Sequence, residues 1–140
     1  MSLLSHRSVK ALGFGLLIWI IGFVWGTIVF MVPALKDIPS ITYVSNYPAI
    51  SFPILVVYAF LVFYFSRLYL RGVRDSIPEG YKLGIILFVV NIVLDAVVYV
   101  VIFSSRDYFS FLSVWISYVL LLIIPRIVAF RYQEGPTSEL

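Results

Sequence analysis

The chain has 140 residues, of which 62% are hydrophobic and only 12% are charged, whereas soluble domains average about 45–50% and about 25%. The mean hydropathy of the chain is +1.06, and its charged residues are too few to cover the surface of a soluble protein. The composition therefore excludes a soluble globular domain, a disordered chain and a nucleic-acid-binding protein. We therefore expect an integral membrane protein, and we attribute the net charge of +3 to its loops.

Four apolar stretches predict four transmembrane helices. A hydrocarbon core of roughly 30 Å requires about 20 helical residues, and no stretch alternates like a membrane β-strand. Because short loops place consecutive helices side by side, we expect an all-α fold, an up-down-up-down four-helix transmembrane bundle in one domain at residues 1–132. The predicted spans and the polar cytoplasmic tail are at about residues 11–32, 49–70, 83–103, 108–130 and 133–140.

The first span carries small residues on one face. Gly15, Gly22 and Gly26 lie at helical spacings of seven and four, and the last two form a GxxxG motif. Small residues allow helix backbones to approach closely in a membrane. This face either packs against a neighbouring helix of the same chain or forms the interface of a homodimer.

Lys and Arg residues are distributed unequally between the two predicted sides. Only Lys36 and Arg106 fall on the outer side, and such a bias places the richer side in the cytoplasm. We therefore expect a multi-pass protein of the cell (inner) membrane with both termini cytoplasmic. The other eight basic residues fall on the inner side, at Arg7, Lys10, Arg67, Arg71, Arg74, Lys82, Arg126 and Arg131. Arg67, Arg71, Arg74 and Lys82 are interpreted as topology determinants or as a site for anionic headgroups.

The third span contains one polar stripe, formed by Asn91, Asp95 and Tyr99 at positions i, i+4 and i+8. An aspartate near the membrane centre costs roughly 2.5–3.5 kcal/mol. Arg106 is 11 residues away, which is roughly 16 Å along a helix, and Arg126 is similarly distant. Asp95 must therefore be protonated, hydrogen-bonded by neutral groups, or hydrated.

Neutral partners for Asp95 are expected at a similar depth. Ser113 and Ser117 share a face of the fourth span, and Tyr58 of the second span reaches a comparable level. We predict a polar cluster of these residues with Asn91, Asp95 and Tyr99. The cluster either holds the helices together or binds a proton, a cation or a polar headgroup. Further along the fourth span, Pro125 is expected to bend or end the helix.

The sequence offers little for other chemistry. It contains no cysteine, and His6 is its only histidine. Thiol chemistry, zinc-thiolate sites and histidine-based metal or haem sites are therefore excluded. We expect no cofactor, no metal, no catalytic residue and no enzymatic activity.

Several short motifs carry a resemblance to a known group. They are Gly22 and Gly26, Glu79-Gly80 with Leu83-Gly84, Asn91 with Leu94-Asp95, and Tyr118 with Pro125. Over about residues 10–130 the chain resembles small prokaryotic four-span membrane proteins of unknown function. The resemblance implies the four-span fold and brings no activity with it.

The expected function is a structural or accessory role in the membrane, with the helices held by the cluster around Asp95. The alternative is a subunit of a proton- or cation-coupled transporter in which Asp95 binds the ion. A membrane enzyme ranks third, because one buried acid has neither a base nor a metal beside it. The expected partners are the lipid bilayer and either a second copy of the chain or a larger membrane complex.

Overall fold

The computed structural model describes residues 5–30, 48–104 and 106–134, and these residues form helices and no strand. This confirms the expected all-helical class. The helices are α1 (His6–Phe30), α2 (Pro48–Leu70), α3 (Ser76–Asp95) with a π-helical continuation (Ala96–Ile102), a 3₁₀ turn (Tyr108–Ser110) and α4 (Leu112–Glu134). The loop between the first two predicted spans lies outside the described residues, and so does the predicted tail 133–140 except for its first two residues, which are helical and end α4.

Four of these helical segments are long and apolar enough to cross a membrane, as the four apolar stretches predicted. The segments are His6–Trp25, Pro53–Leu70, Ser76–Ile102 and Leu112–Gln133. The third begins earlier than predicted, because Pro78 lies in the first turn of α3. Proline is tolerated there, since the backbone N–H groups of a first turn have no acceptor within the helix.

The fourth helix does not end at Pro125. Helix α4 continues through this proline to Glu134, and the prediction that the helix could end there is wrong. Proline lacks the N–H that would bond to the carbonyl four residues earlier, which here is that of Leu121. That carbonyl faces α3, where a Cβ built on Gly84 would lie 3.3 Å from its oxygen. The glycine therefore allows the backbone of α3 to approach the proline-modified turn.

Among the described helices, α3 and α4 share the most extensive packing. Ser76, Gly80 and Gly84 recur every four residues on α3, and all three are buried. The Ser76 hydroxyl donates a 2.7 Å hydrogen bond to the carbonyl of Ala129. A Cβ built on Gly80 would lie 2.9 Å from the carbonyl oxygen of Pro125 and would overlap the side chain of Ala129. The small-residue face predicted from the sequence lies on the first span, and this face on α3 was not predicted.

The small residues of α1 also pack inside the chain. A Cβ built on Gly15 would lie 3.1 Å from the Val90 side chain, and one built on Gly22 would lie 2.6 Å from Cε2 of Tyr58. Gly15 and Gly22 therefore pack against other helices of the same chain, and a homodimer interface on this face stays a prediction. Gly26 lies in α1, but its surroundings are outside the described part of the structure.

The Gly22→Ala variant tests this choice. We expect it to lower the free energy of unfolding by about 1–2 kcal/mol, because the added methyl group displaces the Tyr58 ring. The Tyr58→Leu variant should reduce this penalty, and Gly13→Ala serves as the control because no atom lies within 4 Å of the position that its added methyl group would occupy. Unfolding in detergent, measured together with oligomeric state, checks the prediction. A lower dimer fraction in Gly22→Ile with unchanged monomer stability would instead indicate the homodimer interface.

Candidate functional site

Asp95 is the last residue of α3, at the point where the α-helix passes into the π-helix. Only 7% of its surface is exposed. At the end of the π-helix, the N–H of Phe103 donates a 3.0 Å hydrogen bond to the carbonyl of Val98, five residues earlier. Short π-helical segments are rare and occur frequently at functional sites. This local geometry marks the Asp95 region as the candidate site of the described chain.

Both carboxylate oxygens of Asp95 accept hydrogen bonds from neutral donors. The Trp19 Nε1–H donates to Oδ1 at 2.8 Å, and the Tyr118 hydroxyl donates to Oδ2. Trp19 belongs to α1 and Tyr118 to α4, so one carboxylate connects three helices. The sequence left three states open for Asp95: protonated, hydrogen-bonded by neutral groups, or hydrated. These contacts correspond to the second state, hydrogen bonding by neutral groups.

A continuous series of aromatic contacts joins Trp19 to Tyr118, the two donors to Asp95. We call the residues concerned the aromatic enclosure: Trp19, Phe23, Tyr99, Tyr108, Phe109 and Tyr118. Successive ring centroids in that order lie 5.2, 6.4, 4.2, 5.4 and 6.4 Å apart, and Asp95 joins the two ends through its hydrogen bonds. The closest pair, Tyr99 and Tyr108, is stacked with an interplanar angle of 6°. The enclosure thus connects α1, the π-helix, the 3₁₀ turn and α4.

Asn91 connects α1 to α3 one turn before Asp95. Its amide Nδ2 donates to the carbonyl of Leu87 at 2.9 Å and to that of Gly15 at 3.3 Å. Within the described residues, two buried polar atoms of side chains have no hydrogen-bond partner, namely Asn91 Oδ1 and Trp25 Nε1. Each is a position that a water molecule or a polar group could satisfy.

The predicted cluster is distributed as follows. Asn91, Asp95 and Tyr99 are all buried, which agrees with the polar stripe on one helix face. The Ser117 hydroxyl donates at 2.6 Å to the carbonyl of Val114 in its own helix, and Tyr58 packs against Gly22. Ser113 is partly buried on α4.

Sequence reasoning missed Trp19 and Tyr118, whose side chains donate directly to Asp95. Trp19 was not among the predicted site residues, and Tyr118 entered only through the resemblance. A parallel in spacing could have indicated Trp19, because Gly15 and Trp19 are four apart, as are Asn91 and Asp95. Asn91 Nδ2 lies 3.3 Å from the carbonyl oxygen of Gly15, and Trp19 Nε1 lies 2.8 Å from Oδ1 of Asp95. The first residue of each pair thus contacts the first of the other, and the second contacts the second.

The basic residues at the other end of the helices associate with aromatic rings. The Arg126 guanidinium lies 4.9 Å from the ring centroid of Tyr81, and that of Arg67 lies 5.8 Å from the ring centroid of Phe63. Arg71 and Arg74 are exposed, and Lys82 is partly buried. Arg67 therefore lies against an aromatic ring, whereas Arg71 and Arg74 are exposed, although the sequence analysis grouped these three arginines together.

Among the residues that the structure describes, no group of three or more His, Cys, Asp or Glu side chains could hold a metal ion. The candidate site is the Asp95 carboxylate with its hydrogen-bond donors and the aromatic enclosure. No protein-family model, curated protein or solved structure matches this chain.

Proposed function

We propose that this chain is a small multi-pass membrane protein with a structural or accessory role, in which Asp95 stabilises the packing of three helices through hydrogen bonds. The observation that carries the proposal is the pair of hydrogen bonds from Trp19 and Tyr118 to the two oxygens of Asp95. Such bonds between membrane helices contribute about 0.6 kcal/mol on average and up to about 1.7 kcal/mol. Two bonds to one carboxylate also offset part of the cost of placing it in the membrane.

The exposed surface supports insertion into a membrane. Phe60, Val101 and Leu112 are 71%, 71% and 73% exposed, and they lie on helices long enough to span a bilayer. A helix that is apolar all round is buried in a large core or in lipid. In the proposed arrangement, these side chains contact the acyl chains.

The contact pairs support an up-down-up-down arrangement. Along α1 and α3, residue numbers rise together from Gly15 with Asn91 to Trp19 with Asp95. Along α3 and α4 they run oppositely, from Ser76 with Ala129 to Gly84 with Leu122. We place both termini in the cytoplasm of the cell membrane because of the charge bias. The resemblance to small prokaryotic four-span proteins agrees with this proposal.

The second candidate is a subunit of a proton- or cation-coupled transporter. The aromatic enclosure favours it, because the faces of Trp and Tyr rings attract cations and Asp95 would supply a negative charge between them. Intramembrane carboxylates mark ion pathways in many transport proteins. The structural role ranks first because both oxygens of Asp95 are already engaged by donors of the chain itself.

Proton flux separates the two candidates. The parent and Asp95→Asn proteins are reconstituted in liposomes that contain a pH-sensitive dye, and a pH gradient or membrane potential is applied. The structural proposal predicts the same background leak in both preparations. A flux in the parent that disappears in a folded Asp95→Asn variant would overturn it in favour of ion transport. Circular dichroism establishes that the variant is folded.

A further inference from the structure

A groove of about 340 Å³ lies between the C-terminal ends of α2 and α4. Five residues line it, Phe63, Arg67, Val128, Arg131 and Tyr132. Val128 is buried, whereas the other four side chains are exposed. The groove therefore combines an apolar floor with a rim that carries two guanidinium groups and a phenol.

The charges on the groove favour an anion that presents several oxygens. No acidic side chain is among the lining residues, so the two arginines give the groove a formal charge of +2. The guanidinium of Arg67 lies 5.8 Å from the ring centroid of Phe63, beside the groove. Guanidinium groups bind phosphate oxygens in a bidentate manner, and a tyrosine hydroxyl can donate one more hydrogen bond.

The position of the groove identifies the source of the phosphate. Arg67 and Arg131 each lie in the last turn of a helix that is long enough to span a bilayer. In the proposed arrangement both are at the cytoplasmic interface, where the inner leaflet presents its headgroups. Phe63 and Val128 precede the arginines by four and three residues, so they lie one turn deeper, at the level where acyl chains begin.

We propose that this groove binds the phosphate of an anionic phospholipid. Arg67, Arg131 and the Tyr132 hydroxyl hold the headgroup, and the first methylene groups of the lipid lie against Phe63 and Val128. This inference rests on the proposed insertion in the membrane. It distinguishes Arg67 and Arg131 from Arg71 and Arg74, which are equally basic but do not line the groove.

Native mass spectrometry of the full chain in detergent tests the proposal. Phosphatidylglycerol and phosphatidylcholine are added in parallel samples, and inorganic phosphate and glycerol phosphate are added in two others. We expect one phosphatidylglycerol to be retained in preference to phosphatidylcholine. In the Arg67→Gln/Arg131→Gln variant its affinity should fall roughly ten- to thirty-fold, as expected for the removal of two basic residues.

The matched control is Arg71→Gln/Arg74→Gln, which removes the same charge outside the groove and should retain the lipid. An equal loss of affinity in both variants would overturn the proposal in favour of general charge attraction. Retention of inorganic phosphate as strongly as of phosphatidylglycerol would overturn it in favour of a soluble-phosphate site. Thermal unfolding of each variant identifies any loss of fold. Recovery of the chain in the liposome fraction tests insertion separately, so a failure of this proposal is distinguishable from a failure of the proposed function.

Discussion

The Gly80→Ala variant is expected to lower the free energy of unfolding by about 1–3 kcal/mol, and Gly80→Leu is expected to prevent stable folding. The reason is the carbonyl oxygen of Pro125, which would lie 2.9 Å from the new Cβ. A flexible side chain could move away from an added methyl group, but a backbone carbonyl in the middle of α4 moves only with the helix. The penalty should therefore exceed that of Gly22→Ala, where the neighbouring group is the Tyr58 ring.

Unfolding by SDS titration from mixed micelles measures this difference. Gly13→Ala is the control, because its site on α1 is open and alanine favours the helix by about 1 kcal/mol relative to glycine. We expect Gly13→Ala to be at least as stable as the parent. Equal stability of Gly80→Ala and Gly13→Ala would show that α3 and α4 do not pack through this face.

The Asp95→Leu variant should destabilise the protein by about 2 kcal/mol or more. Leucine removes the acceptor for Trp19 Nε1 and for the Tyr118 hydroxyl, and each donor left buried without a partner costs about 1–3 kcal/mol. Removal of the carboxylate from an apolar region recovers part of this loss. Asp95→Asn should be milder, because its amide oxygen still accepts one of the two bonds.

Removing the unpaired donors should recover part of the free energy of unfolding that Asp95→Leu loses. In the Asp95→Leu background, Trp19→Phe and Tyr118→Phe remove the donors that have lost their acceptor. We therefore expect the triple variant to be more stable than Asp95→Leu alone, although each of these two changes destabilises the parent. If Asp95→Leu by itself is at least as stable as the parent, the carboxylate does not hold the helices together.

Hydrophobicity made the four helical segments predictable from the sequence. A run of about 20 apolar residues has few alternatives to a membrane-spanning helix, and the burial of Asn91, Asp95 and Tyr99 followed from their spacing on one such helix. The helix ends were less predictable. Pro78 lies in the first turn of α3, which begins earlier than predicted, and Pro125 lies inside α4, where the helix was expected to bend or end.

The partners of Asp95 depend on how the helices are aligned with one another, which spacing within one helix does not specify. Ser117, at the expected depth, was a natural candidate, but its hydroxyl bonds to the carbonyl of Val114 in its own helix. The longer side chains of Trp19 and Tyr118 reach the carboxylate from α1 and α4. The close approach of α3 and α4 was missed for a related reason, because Gly80 and Gly84 were considered only as part of a motif and not with Ser76 as a packing face.

The most direct test of the central claim, that Asp95 fastens the helices together, is a double-mutant cycle between Asp95 and Tyr118 in lipid. The free energies of unfolding of the parent, Asp95→Leu, Tyr118→Phe and the double variant give the coupling between the two side chains. A control cycle uses Ser117→Ala with Asp95→Leu, and it should be additive because the Ser117 hydroxyl bonds to Val114. Our account predicts a coupling of about 0.6–1.7 kcal/mol for Asp95 and Tyr118. Additivity of that pair within about 0.3 kcal/mol, as for distant residues, would contradict it.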